Sequence, residues 1–371
     1  MSASVDTIVV GGGLVGAAVA WGLAREGETV TVIDEGDIAL RASRGNFGLV
    51  WVQTKGKNLF DYARWSRRSA DLWPEFAGLL EQHSGVNPDY HKAGGVHLCL
   101  SEEELDQARA LNNRMHNVNG ALGYGAEILD RKQLDEMIPG LGPDVVGGSY
   151  GQHDGHTSPL RLLRGLHGGL KSLGATYASD GPVLSVAKDG EGYVAKTASS
   201  TYRGAKIVLA AGHGNKALGQ SLGLDIPIHP EKGQILVTER VDPFLNMPTH
   251  VIRQTDEGTV MMGDSHEHTG YSDRSTAPVI SDLARNAVRC FPMLSKLKII
   301  RSWGAVRILS PDGAPIYQES ESCKGAFSVN CHSGVTLAGA HAMALAPMIA
   351  AGKLDPDFEI FSARRFHGQT H

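Results

Sequence analysis

The chain has 371 residues, a formal net charge of −5, 20% charged residues and 42% hydrophobic residues. That length supports two domains, or two interleaved ones, with ample core, and the composition is that of an ordinary globular protein. The mildly acidic balance gives no electrostatic reason to expect nucleic acid or an anionic membrane surface as a partner.

Residues 6–10 read as a buried strand, Gly11-Gly12-Gly13-Leu14-Val15-Gly16 as a tight turn, and residues 17–25 as a helix. A second strand over residues 29–33 ends in Asp34. Together these form a complete βαβ dinucleotide fingerprint. Gly11 allows the turn, Gly13 lets the backbone approach a pyrophosphate, and Gly16 lets helix and strand pack closely, with the helix N-terminus facing the phosphates. Asp34 follows the glycines by about 20 residues, where a carboxylate accepts from ribose hydroxyls. Spaced glycines alone would carry little weight in a chain with 46 of them. Strand, helix and acid in register carry the reading. The apolar run of residues 8–24 has no basic segment before it, so no export signal is expected and the expected compartment is the cytoplasm.

Small residues crowd positions 42–51, ahead of a helix expected over roughly 59–82, which Pro74 should break or kink. A strand follows at 95–100. Ser101 and Glu104 form a capping box that opens a helix, and another helix starts at Asp130. Ser158-Pro159 opens a helix running to residue 173. Strands are expected over 182–186, 193–197, 206–210, 234–238, 259–262 and 327–330, with a turn over 331–334 and a closing helix over 335–351. No low-complexity linker divides the chain. The expected organisation is therefore interleaved, with a cofactor domain from 1–85, 151–215 and 301–371 and a substrate or interface domain from 86–150 and 216–300.

Cys99, Cys290, Cys323 and Cys331 are scattered, with no CxxC pair. This argues against disulfides in a cytosolic chain, and against an iron–sulfur cluster or structural zinc held by this chain alone. His153-Asp154-Gly155-His156 and His266-Glu267-His268 are dense in metal-ligand types, but two ligands do not make a site, and no metal is expected.

Several separated motifs resemble the D-amino-acid-oxidase-like flavoproteins, the family of glycine oxidase and sarcosine oxidase. They are Gly155-His156-Thr157-Ser158-Pro159, Val208-Leu209-Ala210-Ala211-Gly212, the segment from Trp303 to Pro315, and His332-Ser333-Gly334-Val335-Thr336, in the family's order over nearly the whole chain. The stretches 42–53 and 331–337 are similar to one branch, the B subunits of opine oxidases (octopine and nopaline dehydrogenases) and the related subunit of hydrogen cyanide synthase. The resemblance implies an α/β fold of glycine oxidase type: a Rossmann-like FAD-binding domain interleaved with an α+β substrate domain on a mostly antiparallel sheet. It implies noncovalent FAD. Gly11, Gly13, Leu14, Val15 and Gly16 would hold the pyrophosphate, Asp34 the ribose, the Val183 backbone the adenine, and Ala42, Ser43 and Arg44 the phosphates. Asn46, Gly48 and Leu49 would run beside the isoalloxazine. Ala211 and Gly212 close the cradle, and Gly334, Val335 and Thr336 begin a helix whose amides stabilise the reduced ring.

Glycine-oxidase-like members place a carboxylate-binding arginine where Arg307 stands, so Arg307 is the expected catalytic anchor; a structural ion pair is the alternative. Its surroundings depart from the family pattern, with Gly304-Ala305 where Ala-Gly is common and Ile308 where proline is common. Gln53, Lys55, His266, Glu267 and His332 are further candidate substrate contacts, each with a structural reading beside the functional one.

The implied function is the catalytic FAD subunit of a heteromeric opine dehydrogenase. It would oxidise a secondary amine to an imine that water cleaves to an amino acid and a 2-oxo acid. Alternatives are a glycine, sarcosine, D-amino-acid or hydroxyproline dehydrogenase, a hydrogen cyanide synthase subunit, or an electron-transfer flavoprotein subunit without a substrate of its own. Implied partners are a second flavoprotein subunit and a small iron–sulfur protein, with any link to a respiratory membrane running through them.

Overall fold

The computed structural model describes residues 4–36, 42–119 and 124–367. Strand β1 (Val5–Val10), helix α1 (Leu14–Arg25) and strand β2 (Val30–Ile33) form the expected opening unit. Residues 7–10 and 30–33 are buried with no alternation of faces, as in a parallel strand covered on both sides. β1 is central: it pairs in parallel with β2 on one side and with Thr201–Leu209 on the other. The sheet extends through Ala326–Asn330 to Ile316–Glu319 at one edge and through β2 to Thr176–Ala178 at the other. A hairpin, Ser185–Asp189 with Gly192–Lys196, branches antiparallel from Thr201–Leu209. The expected strand over 182–186 thus begins three residues later, and residues 182 and 183 stay in the loop that walls a cavity described below.

A second, antiparallel sheet runs Ile252–Gln254, Thr259–Met262, His229–Arg240 and Ile299–Leu309 in spatial order. It shares a hydrophobic core with a three-stranded sheet of Gly95–Cys99, Gly147–Gly151 and Ala126–Asp130 through Leu98, Leu129, Leu236, Ile252 and Phe291. The strand Ile299–Leu309 lies wholly in this second sheet, so the domain boundary expected at 301 falls inside a strand. Its register along His229–Arg240 holds it there.

Two helices differ from expectation. Phe60–Ser84 runs unbroken through Pro74 and ends where Gly85 takes φ +67°. Pro74 is on the solvent side, where helix carbonyls already tilt toward water. Trp73, Phe76 and Leu80 pack the opposite face into the core. The closing helix does not begin at 335. Residues 334–337 form turns, and the helical run is Ala338–Ala340, a π segment His341–Leu345, and Ala346–Ala350. Pro347 has no N–H for the carbonyl four residues back, which is where a π turn is tolerated.

Candidate active site

A cavity of about 1230 Å³ opens at the C-terminal end of β1, lined by Gly11, Gly13, Val15, Asp34, Ala42, Ser43, Arg44, Asn46, Val183, Ala211 and Gly212. The glycines are required by geometry. A Cβ on Gly16 would sit 1.9 Å from the Gly11 carbonyl oxygen, and one on Gly13 would sit 2.8 Å from Ser43 Oγ. Gly13, the N-cap residue of α1, offers no side-chain cap, and the Leu14 amide donates to Ser43 Oγ at 2.9 Å. The loop after β2 is thereby tied to the phosphate end. Asp34 is buried and accepts from the Gly12 amide at 2.7 Å and the Gly36 amide at 3.0 Å. Bare backbone at the turn, a helix start whose N-cap residue carries no side chain and a buried acid make a cradle that fits a dinucleotide.

A second cavity of about 270 Å³ adjoins the first, and Ala42, Gly45, Asn46, Ala305 and Val306 line both. Leu49, Lys55, Arg307, His332, Val335 and Thr336 come together on its wall with Trp51, Thr54, His97, His250 and Asp264. Thr336 Oγ1 accepts the Trp51 amide at 3.1 Å and donates to the Leu49 carbonyl at 3.2 Å, pinning the two segments. Leu14, Gly16, Gly48 and Gly334 line neither cavity. Gly48 takes φ +96°, and a Cβ there would lie 2.4 Å from the Thr157 carbonyl oxygen.

Arg307 faces Glu231 across the sheet and donates to it at 3.1 Å, to Asp264 at 2.7 Å and to the Ser265 carbonyl at 2.6 Å. Its Nε has no partner among the described residues. Burial raises the Asp264 carboxyl, but the His266 hydrogen bond and the Arg307 charge outweigh it and hold the group at about 2. Burial pushes the Lys55 ammonium down to about 8, against the charge of Asp264. His332 is driven well below its usual range by burial and then by Lys55 and Arg307, so it is neutral. His97 and His250 stack with centroids 3.7 Å apart, both pushed down by burial.

Three expected contacts lie outside this cavity, each against structural partners. Gln53 is buried and donates to Asp154 at 2.7 Å and to the Gly95 carbonyl at 3.1 Å. Glu267 pairs with buried Lys232 at 2.9 Å and accepts from Gln234 at 2.8 Å. His266 sits outside the cavity between Glu231, at 2.7 Å, and Asp264, at 3.3 Å. Of the other histidine-rich segment, His153 faces Asp71 and His156 stacks on His91. His97, His250 and Asp264 escaped the sequence reading: they lie on different strands and loops, and no local motif joins them.

The chain and its fold resemble known proteins. Residues 6–348 match the model of the FAD dependent oxidoreductase family. The chain is 44% identical over 366 residues to the opine oxidase B subunit of Rhizobium meliloti, covering 98% of each chain. It is also 44% identical to the corresponding B subunit of the opine oxidase of Agrobacterium tumefaciens (strain Ach5), again covering 98% of each. The crystal structure of glycine oxidase from Geobacillus kaustophilus superposes with a TM-score of 0.88 at 22% identity, over 99% of this chain and 100% of that one. A family match spanning nearly the whole chain, on a fold whose glycine turn, buried acid and cavity suit a dinucleotide, makes this protein a member of the FAD dependent oxidoreductase family, with FAD as its cofactor.

Proposed function

We propose that this chain is the FAD-bearing catalytic subunit of a heteromeric opine dehydrogenase, acting on octopine, nopaline or a close relative. The observation that carries this reading is full-length 44% identity to the B subunit of an opine oxidase, joined to a cavity that presents Arg307 and Lys55 beside the cofactor cradle.

FAD, when bound, supplies a two-electron acceptor for a hydride. The turn at Gly11–Gly16 with Ser43 and Arg44 would hold its phosphates, Asp34 its ribose and the 183 backbone its adenine. Asn46, Leu49, Val335 and Thr336 would hold its ring. The chain's own residues do the rest. Arg307 offers its Nε edge to a substrate carboxylate while Glu231 and Asp264 keep the guanidinium in place. His332, neutral, shapes the cavity floor. Gln53, Glu267 and His266 brace the wall. The α-carbon is thus presented toward the cradle with its carboxylate fixed, which is the positioning that hydride removal requires.

Electrons leave through partners: a second flavoprotein subunit and a small iron–sulfur protein. The four cysteines are free and dispersed, and burial pushes the Cys331 thiol up to about 12, which disfavours the thiolate a covalent flavin link would use. The test is product analysis. Octopine with a dye acceptor should yield arginine and pyruvate in equal amounts; dye reduction without a 2-oxo acid would reject the reading.

A further inference from the structure

We propose that Lys55 is the proton acceptor for the substrate nitrogen, a catalytic residue of the amine oxidation proposed above and resting on that reading. The loop that carries it is built to hold one geometry. Asp154, fully buried, accepts the Val52 amide at 2.5 Å and the Gln53 amide at 3.3 Å through Oδ1, and the Gln53 side chain at 2.7 Å through Oδ2. The Lys55 amide donates to the Val52 carbonyl at 3.2 Å, and the Tyr124 hydroxyl donates to the Lys55 carbonyl. Thr54 takes φ +68°, a conformation rare for a β-branched residue and found where surrounding structure imposes it at functional sites.

The two cations on this cavity wall differ in kind. Arg307 is countered by Glu231 and Asp264. The Lys55 ammonium has no hydrogen-bond or ion-pair partner among the described residues. The groups facing it are Asp264 and Asp154, which favour its charge, Arg307, which opposes it, and the Cys331 thiol, held neutral. His332, His97 and His250 complete the surroundings and are likewise neutral. Burial outweighs the two carboxylates, and an amine near 8 is partly unprotonated at neutral pH, whereas a guanidinium is not. One cation holds the carboxylate and the other gives up its proton and takes the substrate's.

The step balances. A secondary ammonium substrate gives one N–H proton to the Lys55 Nζ lone pair. The nitrogen lone pair so released forms the C=N bond as the Cα–H leaves with its bonding electrons to the flavin acceptor. The resulting iminium takes up water and separates into the amino acid and the 2-oxo acid, and Lys55 returns its proton to solvent.

The experiment uses the FAD-loaded protein. Anaerobic flavin reduction by octopine or nopaline should accelerate with pH around an inflection near 8. Lys55→Met and Lys55→Arg should both slow it by roughly 100-fold or more, since Arg keeps the charge and donors but has no lone pair. Lys55→His should retain part of the rate with the inflection moved down toward about 6.5. A Lys55→Arg variant with the wild-type rate would overturn the proposal and leave Lys55 a carboxylate contact. A second readout needs no turnover: trace acetic anhydride labelling of the loaded protein, quantified by peptide mass spectrometry. Lys55 should reach half-labelling near 8, and a midpoint near the surface-lysine value of about 10.4 would also overturn it. Failure of the wild type to be reduced by any opine would instead strike the functional reading, and the labelling midpoint would still decide the state of Lys55.

Discussion

Arg307 and Glu231 are direct cross-strand neighbours, joined at 3.1 Å, and the same guanidinium reaches Asp264 at 2.7 Å. If Arg307 is also the substrate anchor proposed above, the two carboxylates orient the fork and leave the Nε edge for the ligand. Arg307→Lys should keep flavin content while replacing the fork by a point charge. Losing one charged partner in a desolvated site predicts a fall in kcat/KM of roughly 30- to 1000-fold. Near-normal kinetics in that variant would assign Arg307 to structure alone.

Gly13→Val should abolish FAD binding. A Cβ at this position already approaches Ser43 Oγ at 2.8 Å, and the further methyls would occupy the space of the pyrophosphate. The check is the ratio of flavin to protein absorbance after purification. Heat should release the flavin of the wild type, since the link is noncovalent.

Asp154 gives a pH signature. Burial pushes its carboxyl up to about 7, against the hydrogen bonds from Val52 and Gln53. Between the unfolded value near 4 and this folded value, the native state binds the extra proton. Stability from this group is thus fully present below about pH 4 and declines as pH rises toward 7, at up to about 1.4 kcal/mol per pH unit. Asp154→Asn should flatten that decline in melting temperature measured from pH 5 to 8. An unchanged slope would show that the carboxyl is not perturbed.

How far the sequence reveals the site follows from how local each part is. The cofactor cradle is legible because Gly11, Gly13, Gly16 and Asp34 sit in one βαβ unit, where spacing dictates geometry. Motif context singled out Lys55, Arg307 and His332, which the fold brings to one cavity wall. His97, His250 and Asp264 were not legible, because sheet register alone brings them to the same wall. Gln53 misled for the opposite reason: its polarity suggested a ligand contact, while burial spends its amide on Asp154. Pro74 shows a similar limit, since whether a proline breaks a helix depends on the face it occupies.

The route of the electrons is testable in the isolated chain. It should reduce its flavin with substrate yet turn over slowly in air, and co-expression with the proposed partner subunits should restore turnover with a dye or quinone acceptor. Rapid, stoichiometric hydrogen peroxide from the single chain would show a self-sufficient oxidase.

The most direct measurement is anaerobic titration of the FAD-loaded chain with octopine, nopaline, glycine, sarcosine, D-alanine and hydroxyproline, following the visible band of the oxidised flavin. An opine should bleach it at stoichiometric addition and the smaller amino acids should not. Bleaching by glycine or hydroxyproline alone, or by none of the panel, would contradict the account.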